Sequence, residues 1–502
     1  MSRPARALGA AALAALSGCM VGPDYKRPDA PVPIVYKELN GWKPATPMDA
    51  IDRGAWWSVY RDPVLDGLER QVVISNQTVR EAEAAYRAAA EEVKVARANL
   101  FPVLGINAGV TRSSGGGGSV SSSGSGGVVI PSVTIPSGTT SSGSSFGGGS
   151  STRTSYSAQA NFDWDLDVWG RIRRQIESSA AAAQVSAADL VNAQLSAQVA
   201  VATDYFELRG SDALQRLLEQ TVTEYERSLR ITQNQYNAGT AARSDVITAQ
   251  TQLETTRAQA INVGVARAQF EHAIAVLIGH PPAELTLPAA SLAADVPVLP
   301  PSLPSTLLER RPDIAAAERA MEEENALIGV QVAAYYPDIS LSALYGYVGS
   351  PLGSLIQASN RVWSLGAAAS ETLFEGGARP AAVAAARATY DQSVATYRQT
   401  VLTAFQQVED ALSTLRILQQ QAVVQDNAVR LARQAVQIAL NEYRAGTVAY
   451  TTVVTDQATA LADEQAALSI QSQRLQASAA LIGALGGGWS ASELPSKGSF
   501  QH

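Results

Sequence analysis

Tyr236, Ala238, Gly239 and Thr240 recur as Tyr443, Ala445, Gly446 and Thr447, 207 residues further along the chain. The same shift pairs Leu166 with Leu373, Gly170 with Gly377, Leu208-Arg209 with Leu415-Arg416, Val246 with Val453, Gln250 with Gln457 and Gly279 with Gly486. Upstream the register changes: Ala82-Glu83 match Ala317-Glu318 and Pro102 matches Pro337, now 235 residues apart. The first copy therefore carries 28 more residues, between Pro102 and Leu166, where a Gly/Ser tract lies. Two copies of about 200 residues make a pseudo-symmetric protomer and not a solenoid of short repeats. The expected organisation is a signal segment (1–18), an extended N-terminal segment (19–63), a first repeat (64–279), a Pro-rich linker (280–304), a second repeat (305–486) and a tail (487–502).

Arg3 and Arg6 precede an apolar stretch from Ala7 to Leu16, followed by Leu16-Ser17-Gly18-Cys19. A run this short cannot span a bilayer, and small residues before the sole cysteine read as a lipobox, with covalent lipid on Cys19. Met20, and not aspartate, follows the cysteine, which points to the outer membrane. With Cys19 acylated, the exported chain has no thiol for a disulfide or a thiolate metal site. The net charge of -8 argues against a nucleic-acid partner, which needs a basic surface. Beyond the signal, no apolar run reaches the 18 or more residues of a transmembrane helix, so any membrane crossing falls to strands.

Such strands are legible. Tyr156, Ala158, Ala160, Phe162, Trp164, Leu166 and Val168 alternate with Ser157, Gln159, Asn161, Asp163, Asp165 and Asp167. Period two means a strand, and three carboxylates on one face mean that face is wet. An apolar outer and polar inner face is the pattern of a barrel strand, although an amphipathic strand of a soluble sandwich shares it. Ile106, Ala108 and Val110 mark a weaker strand before it, and Ile339 to Val348 and Val362 to Phe374 are the equivalents in the second copy. Between the first pair, 113–151 is almost all Gly, Ser, Thr, Val and Pro, the composition of a flexible loop.

Arg171 to Asn237 and Arg379 to Arg444 read as very long helices, each extending roughly 100 Å. In the second, Val383, Tyr390, Val394, Tyr397, Val401, Phe405, Val408, Leu412 and Leu415 form a coiled-coil seam. Gly239 and Gly446 suit the left-handed position that ends a helix, and a returning helix follows each. Thr240 and Ser244 in one copy, Thr447 and Thr451 in the other, are expected to cap the returning helices, with Asp245 complementing the helix dipole. Four strands per chain cannot close a barrel when the smallest bacterial ones have eight, so identical chains must pool strands around a water-filled bore.

Several motifs in order carry a resemblance: Val21-Gly22-Pro23-Asp24-Tyr25, Trp56-Trp57 with Asp62-Pro63, Asp165-Leu166-Asp167-Val168-Trp169-Gly170-Arg171, Glu309-Arg310-Arg311-Pro312-Asp313-Ile314 and Leu485-Gly486-Gly487-Gly488-Trp489. The chain resembles the outer membrane factor family of tripartite efflux systems, in particular its NodT-type, OprM- and TolC-like lipoproteins. That resemblance implies a mainly α fold with a β-barrel portion: a homotrimer with a 12-stranded β-barrel and a 12-helix periplasmic α-barrel. It also implies export of drugs or other small molecules with a periplasmic adaptor and an inner-membrane pump of the RND type. Adaptor contact and gate lie, by the same resemblance, at the tips, here Tyr236, Gly239, Thr240, Arg243 and Asp245 in one copy and Tyr443, Gly446, Thr447, Thr451, Thr452, Thr455 and Asp456 in the other. The copies differ there: Thr452 stands where the first tip has Asp245, and Thr451 and Thr455 where OprM-like members have leucine and aspartate, with Asp456 one position later. Asp245 reads either as a dipole-complementing residue or as part of the gate. Asp163, Asp165 and Asp167 read either as a cation-favouring ring or as a hydrated channel wall. Arg310 and Arg311 are expected to fix a helix start by charge pairing.

An enzyme is the contrasting reading. His272, His280 and His502 are scattered without metal-ligand spacing, no nucleophile turn surrounds a serine, and no phosphate-cradling glycine loop precedes a lysine. Neither catalysis, metal nor any cofactor beyond the lipid is expected. A poreless coiled-coil scaffold has no use for the apolar face of an aspartate-lined strand.

Overall fold

The computed structural model describes residues 20–30, 32–33, 36–38, 55–115, 151–293, 295–297 and 309–501. Cys19, the signal segment, most of the Gly/Ser tract and part of each extended segment lie outside the described residues. The chain divides into two compact units, one holding the strands and one most of the helical length.

The strand unit contains β1 (Val103–Gly115), β2 (Ser151–Leu166), β3 (Asp338–Gly349) and β4 (Arg361–Ser370), in the sheet order β1-β2-β3-β4. Every pair is antiparallel, the register running through Ala160, which faces Ile106 on one side and Tyr345 on the other, while Tyr345 faces Trp363. The sheet thus joins the hairpins of both repeats through β2 and β3. The fourth strand is shorter than the sequence predicts: it ends at Ser370, and Leu373 and Phe374 lie exposed beyond it. The chain leaves the ladder to reach Gly376 and Gly377, at φ 60 and 90, where the left-handed turn before the next helix takes glycine without a Cβ clash. Just past β2, Trp169 stacks on Tyr336 at 4.8 Å and donates its indole N–H to the carbonyl of Pro337.

The helical unit takes in α1 (Pro63–Ser75), α2 (Gln77–Ala98), α3 (Arg171–Asn237), α4 (Arg243–Leu277), α5 (Pro312–Ala333), α6 (Ala378–Arg444) and α7 (Tyr450–Ala484). Helices α3 and α6 each run 67 residues, and α4 and α7 each 35, so the duplication read from the sequence is an equality of element lengths. Tyr397, Val401, Phe405, Val408, Leu412 and Leu415 of the expected seam are all buried in the main core, with Val201, Tyr205, Leu208, Ile274, Leu475 and Leu481 from the other long helices. Trp56 and Trp57 are buried in the same core and meet edge to face. Asp62 caps α1, accepting the N–H groups of Val64 and Leu65 on Oδ1 and the Tyr205 hydroxyl on Oδ2. No helix of the described residues is long and apolar enough to cross a membrane.

The N-terminal motif Val21-Gly22-Pro23-Asp24-Tyr25 is a strap. Gly22 sits at φ 100 with the space for a Cβ taken by the Cα of Gly329, and Arg174, fully buried, holds Asp24 at 2.9 Å and the carbonyls of Val21 and Gly22. The described part of the inter-repeat linker is also pinned: Arg209 donates to the carbonyl of Pro288, Arg267 to that of Leu287, and Asp212 accepts the N–H of Ala290. Arg311 forks onto Asp313 with two bonds of 3.0 and 2.6 Å at the start of α5, as its position before the helix predicts, and also reaches the carbonyl of Ala484.

Candidate functional site

The residues singled out in the sequence fall in two places, the helical tips and the polar face of the sheet. At the first tip, Gly239 has φ 77, its N–H bonds to the carbonyl of Tyr236, and the Thr240 N–H reaches back to Gln235. At the second, Gly446 has φ 75, with the same two bonds from Gly446 to Tyr443 and from Thr447 to Glu442. This is the Schellman closure, which needs a residue tolerant of positive φ.

The threonines do not cap the returning helices. The Thr240 hydroxyl donates to the carbonyl of Gln235 at 3.0 Å and the Thr447 hydroxyl to that of Glu442 at 2.9 Å, so both finish the outgoing helix. The N-cap positions belong to Ala242 and Ala449, which have no side chain to offer, and the Ser244 hydroxyl turns to Asp245 while Thr451 accepts at its carbonyl from the Thr455 hydroxyl. The geometric reason is proximity: a residue just past the left-handed glycine has its Oγ beside the open C-terminal carbonyls. Asp245 does occupy the first turn of α4, where its charge complements the dipole.

A contact absent from the sequence reading ties the tips together. Tyr443 and Tyr450 pack at 5.1 Å between ring centroids within a cluster of Ala249, Ala439 and Val453. The Tyr450 hydroxyl pairs with Ser228 of α3 at 3.1 Å, and Gln235 donates to the carbonyl of Tyr443 at 3.4 Å. Burial raises both phenol pKa values, and the Asp245 charge adds to the rise, which puts the carboxylate within electrostatic reach of the second tip. Tyr236, Arg243, Thr451, Thr452 and Thr455 are exposed, whereas Asp456 is half-buried. Ser228 lies eleven residues before Gly239, too far along α3 for any local signal to mark it.

On the sheet, register makes the alternation a property of four strands at once. One face carries Leu104, Ile106, Ala108 and Val110, then Tyr156, Phe162, Trp164 and Leu166, then Ile339, Leu341 and Tyr345, then Trp363 and Leu365. Ile106, Trp363 and Leu365 are exposed, so the apolar face stands uncovered in the single chain. The other face is mainly small and polar, with Leu344 and Val348 among its residues. There Asn107 donates to Asn161 at 2.9 Å and Asn161 to Asp163 at 2.8 Å, while Gly346 leaves the space into which Gln159 packs. Asp163 and Asp165 lie on this face opposite Ser342 and Ser340. Asp167 does not continue the row: the strand ends at Leu166, and Asp167 accepts the N–H of Ile172 at 2.9 Å. An aspartate just before a helix finds unsatisfied N–H groups within reach, and that local demand outweighs the alternation.

A family model described as outer membrane efflux protein matches residues 68–280 and 303–487. The chain belongs to the outer membrane efflux protein family. Among relatives, it is 29% identical over 479 residues to the probable efflux pump outer membrane protein TtgC of Pseudomonas putida, covering 94% of this chain and 93% of that one. It is 28% identical to the cation efflux system protein CusC of Escherichia coli O6:H1, covering 95% and 97%. Among solved structures, the outer-membrane channel OprN superposes with a TM-score of 0.80 at 29% identity, covering 94% of this chain and all of that one. The open state of the Neisseria gonorrhoeae MtrE outer membrane channel gives 0.78 at 25%, covering 94% and 99%. This family member is therefore an outer membrane protein of efflux with the fold of those channels, mainly helical with one small sheet.

Proposed function

We propose that three copies of this chain form the exit duct of a tripartite pump, each contributing four strands to a common barrel and four long helices to a periplasmic tunnel. The observation that carries this reading is the sheet. It is open, with β1 and β4 at its edges, and one face is apolar over most of its length and uncovered, a surface that lipid and further strands satisfy. Its polar face, with Asp163 and Asp165, lines the bore and keeps it hydrated. The tips are the periplasmic end, where an adaptor protein and an inner-membrane pump of the RND type act, and Asp245, Tyr443 and Tyr450 hold that end closed. Cys19 carries the lipid. Drugs and other small molecules are the cargo, in keeping with the efflux named for the relatives.

Purified full-length protein in planar bilayers tests the reading. A stable oligomer whose gel mobility changes on heating and which gives discrete conductance steps is the expected result. A monomer that gives no steps, even after Asp245→Ala and Tyr450→Phe, overturns it.

A further inference from the structure

Charge is segregated along the strands of the sheet. From Val103 through Phe162 the only charged residues are Arg112 and Arg153, and from Ile339 through Ser370 the only one is Arg361. Both stretches include the segments that connect the strands, so the hairpin ends of the sheet carry three arginines and no carboxylate. The other ends, where the strands adjoin helices in the sequence, carry Asp163, Asp165, Asp338 and Glu371. In a chain of net charge -8, an all-cationic end is a local feature with its own field.

Strand parity decides which face each arginine joins. Arg112 continues the row of Ile106, Ala108 and Val110, and Arg361 starts the row of Trp363 and Leu365, so both stand on the apolar face. Arg153, opposite Ser113, stands on the polar one. All three are exposed. Arg361 is paired through Tyr347 with Ala158, the Tyr347 ring meets that of Tyr345 at 6.2 Å, and Tyr345 lies opposite Trp363. The apolar face therefore ends in a rim of guanidinium groups and aromatic rings, the composition of a membrane–water interface. Its height agrees. Arg112 stands eight residues above Leu104, and Tyr347, the partner of Arg361, eight above Ile339. Eight residues span about 27 Å of strand, which at a barrel tilt of about 40° is roughly 20 Å of depth, close to the ~25 Å apolar band of such barrels.

We propose that Arg112 and Arg361 receive the phosphate groups of lipid headgroups in the outer leaflet of the membrane. This rests on the barrel proposed above and names what its outer rim binds. In that reading the helices are periplasmic, so the hairpin ends face the outer leaflet. A guanidinium forks onto two phosphate oxygens, and its methylene stem lies along apolar surface while the head reaches the headgroup layer. The occupant is a phosphorylated lipid and not free phosphate, because the same face continues as the exposed side chains of Trp363, Leu365 and Ile106, which match acyl chains. Arg153 supplies the contrast: it has the same charge at the same end, but on the face turned to the bore.

The test uses the full-length oligomer in detergent micelles doped with lipid A carrying both its phosphates, or with lipid A stripped of them, and reads bound lipid per chain by native mass spectrometry. The wild-type chain should retain several times more of the phosphorylated lipid. Arg112→Gln with Arg361→Gln should abolish that preference, and Arg153→Gln should keep it. A preference that survives the double change, or that is lost equally with Arg153→Gln, overturns the proposal. Millimolar inorganic phosphate should leave the lipid in place; complete displacement would show an anion site indifferent to lipid, and overturns it too. Oligomer yield and conductance are measured on every variant. If the glutamine pair fails to assemble, the two single changes decide, each expected to lower the retained lipid, and unchanged retention in both overturns the site. A wild-type oligomer that conducts but shows no lipid preference overturns this site alone, whereas a monomer without conductance overturns the barrel with it.

Discussion

Glu69 is the residue whose chemistry is least expected from its neighbours in sequence. It lies on the buried face of α1 with Leu65 and Val72, fully out of solvent, and neither carboxyl oxygen has a hydrogen-bond partner among the described residues. Burial, with a smaller contribution from Asp66, pushes its pKa up to about 9; Tyr60 is the other titratable group in its field. The folded protein thus holds a proton that the unfolded chain releases near pH 4.5. Stability from this group is fully present below that value and falls as pH rises toward about 9, by at most about 1.4 kcal/mol per pH unit. Glu69→Gln should flatten that slope and raise the melting temperature at pH 8; thermal unfolding of the two proteins at pH 5 and pH 8 checks it, and equal slopes would refute it. Asp245 makes a residue-scale prediction of the opposite kind. Asp245→Ala should raise open-channel conductance or antibiotic sensitivity with little change in melting temperature, because it removes a charge facing Tyr443 and Tyr450 from a half-exposed site. Unchanged conductance and sensitivity would leave it a dipole-complementing residue only.

Among elements, the tips and the sheet depend on glycine for different reasons. At Gly446 a Cβ would meet nothing within 4 Å, so the demand is for φ 75 alone. Gly446→Ala should cost roughly 1–2 kcal/mol of local stability, seen as faster amide exchange at Thr447 while the core helices keep their protection. At Gly346 the demand is for space: an added Cβ would lie 2.3 Å from the carbonyl of Ala158 on the neighbouring strand. Gly346→Val should therefore part β2 from β3 and reduce the yield of heat-modifiable oligomer in the membrane, whereas Gly353→Ala, at an exposed position with open space around it, should not. How the tip threonines are used is also an element-scale matter: they serve the helix that ends, and alanines begin the one that returns.

At the scale of the whole molecule, the single chain is incomplete in the same sense twice. Among the described residues its sheet ends in the edges β1 and β4 with an apolar face uncovered, and its long helices α4 and α6 expose Ile247, Ile261, Val424 and Ile438. If Cys19 carries the lipid and the strands form the proposed barrel, Cys19→Ala should leave export and oligomer yield largely unchanged, since one acyl anchor adds little to a barrel; loss of the variant from the membrane fraction would show that the lipid and not the strands holds the protein.

The repeat, the four strands, the two 67-residue helices and the tip glycines were legible in the sequence because each is a periodicity or a local backbone demand. Alternation marked the strand face, heptad spacing marked the seam of α6, and positive φ required Gly239 and Gly446. The tertiary structure decided what depends on distant neighbours. It ended β4 at Ser370, turned Asp167 to the amide of Ile172, aimed Thr240 and Thr447 backward, brought Ser228 to Tyr450 and enclosed Glu69. A side chain's partner is set by which element lies at its own height, and no window of sequence contains that element.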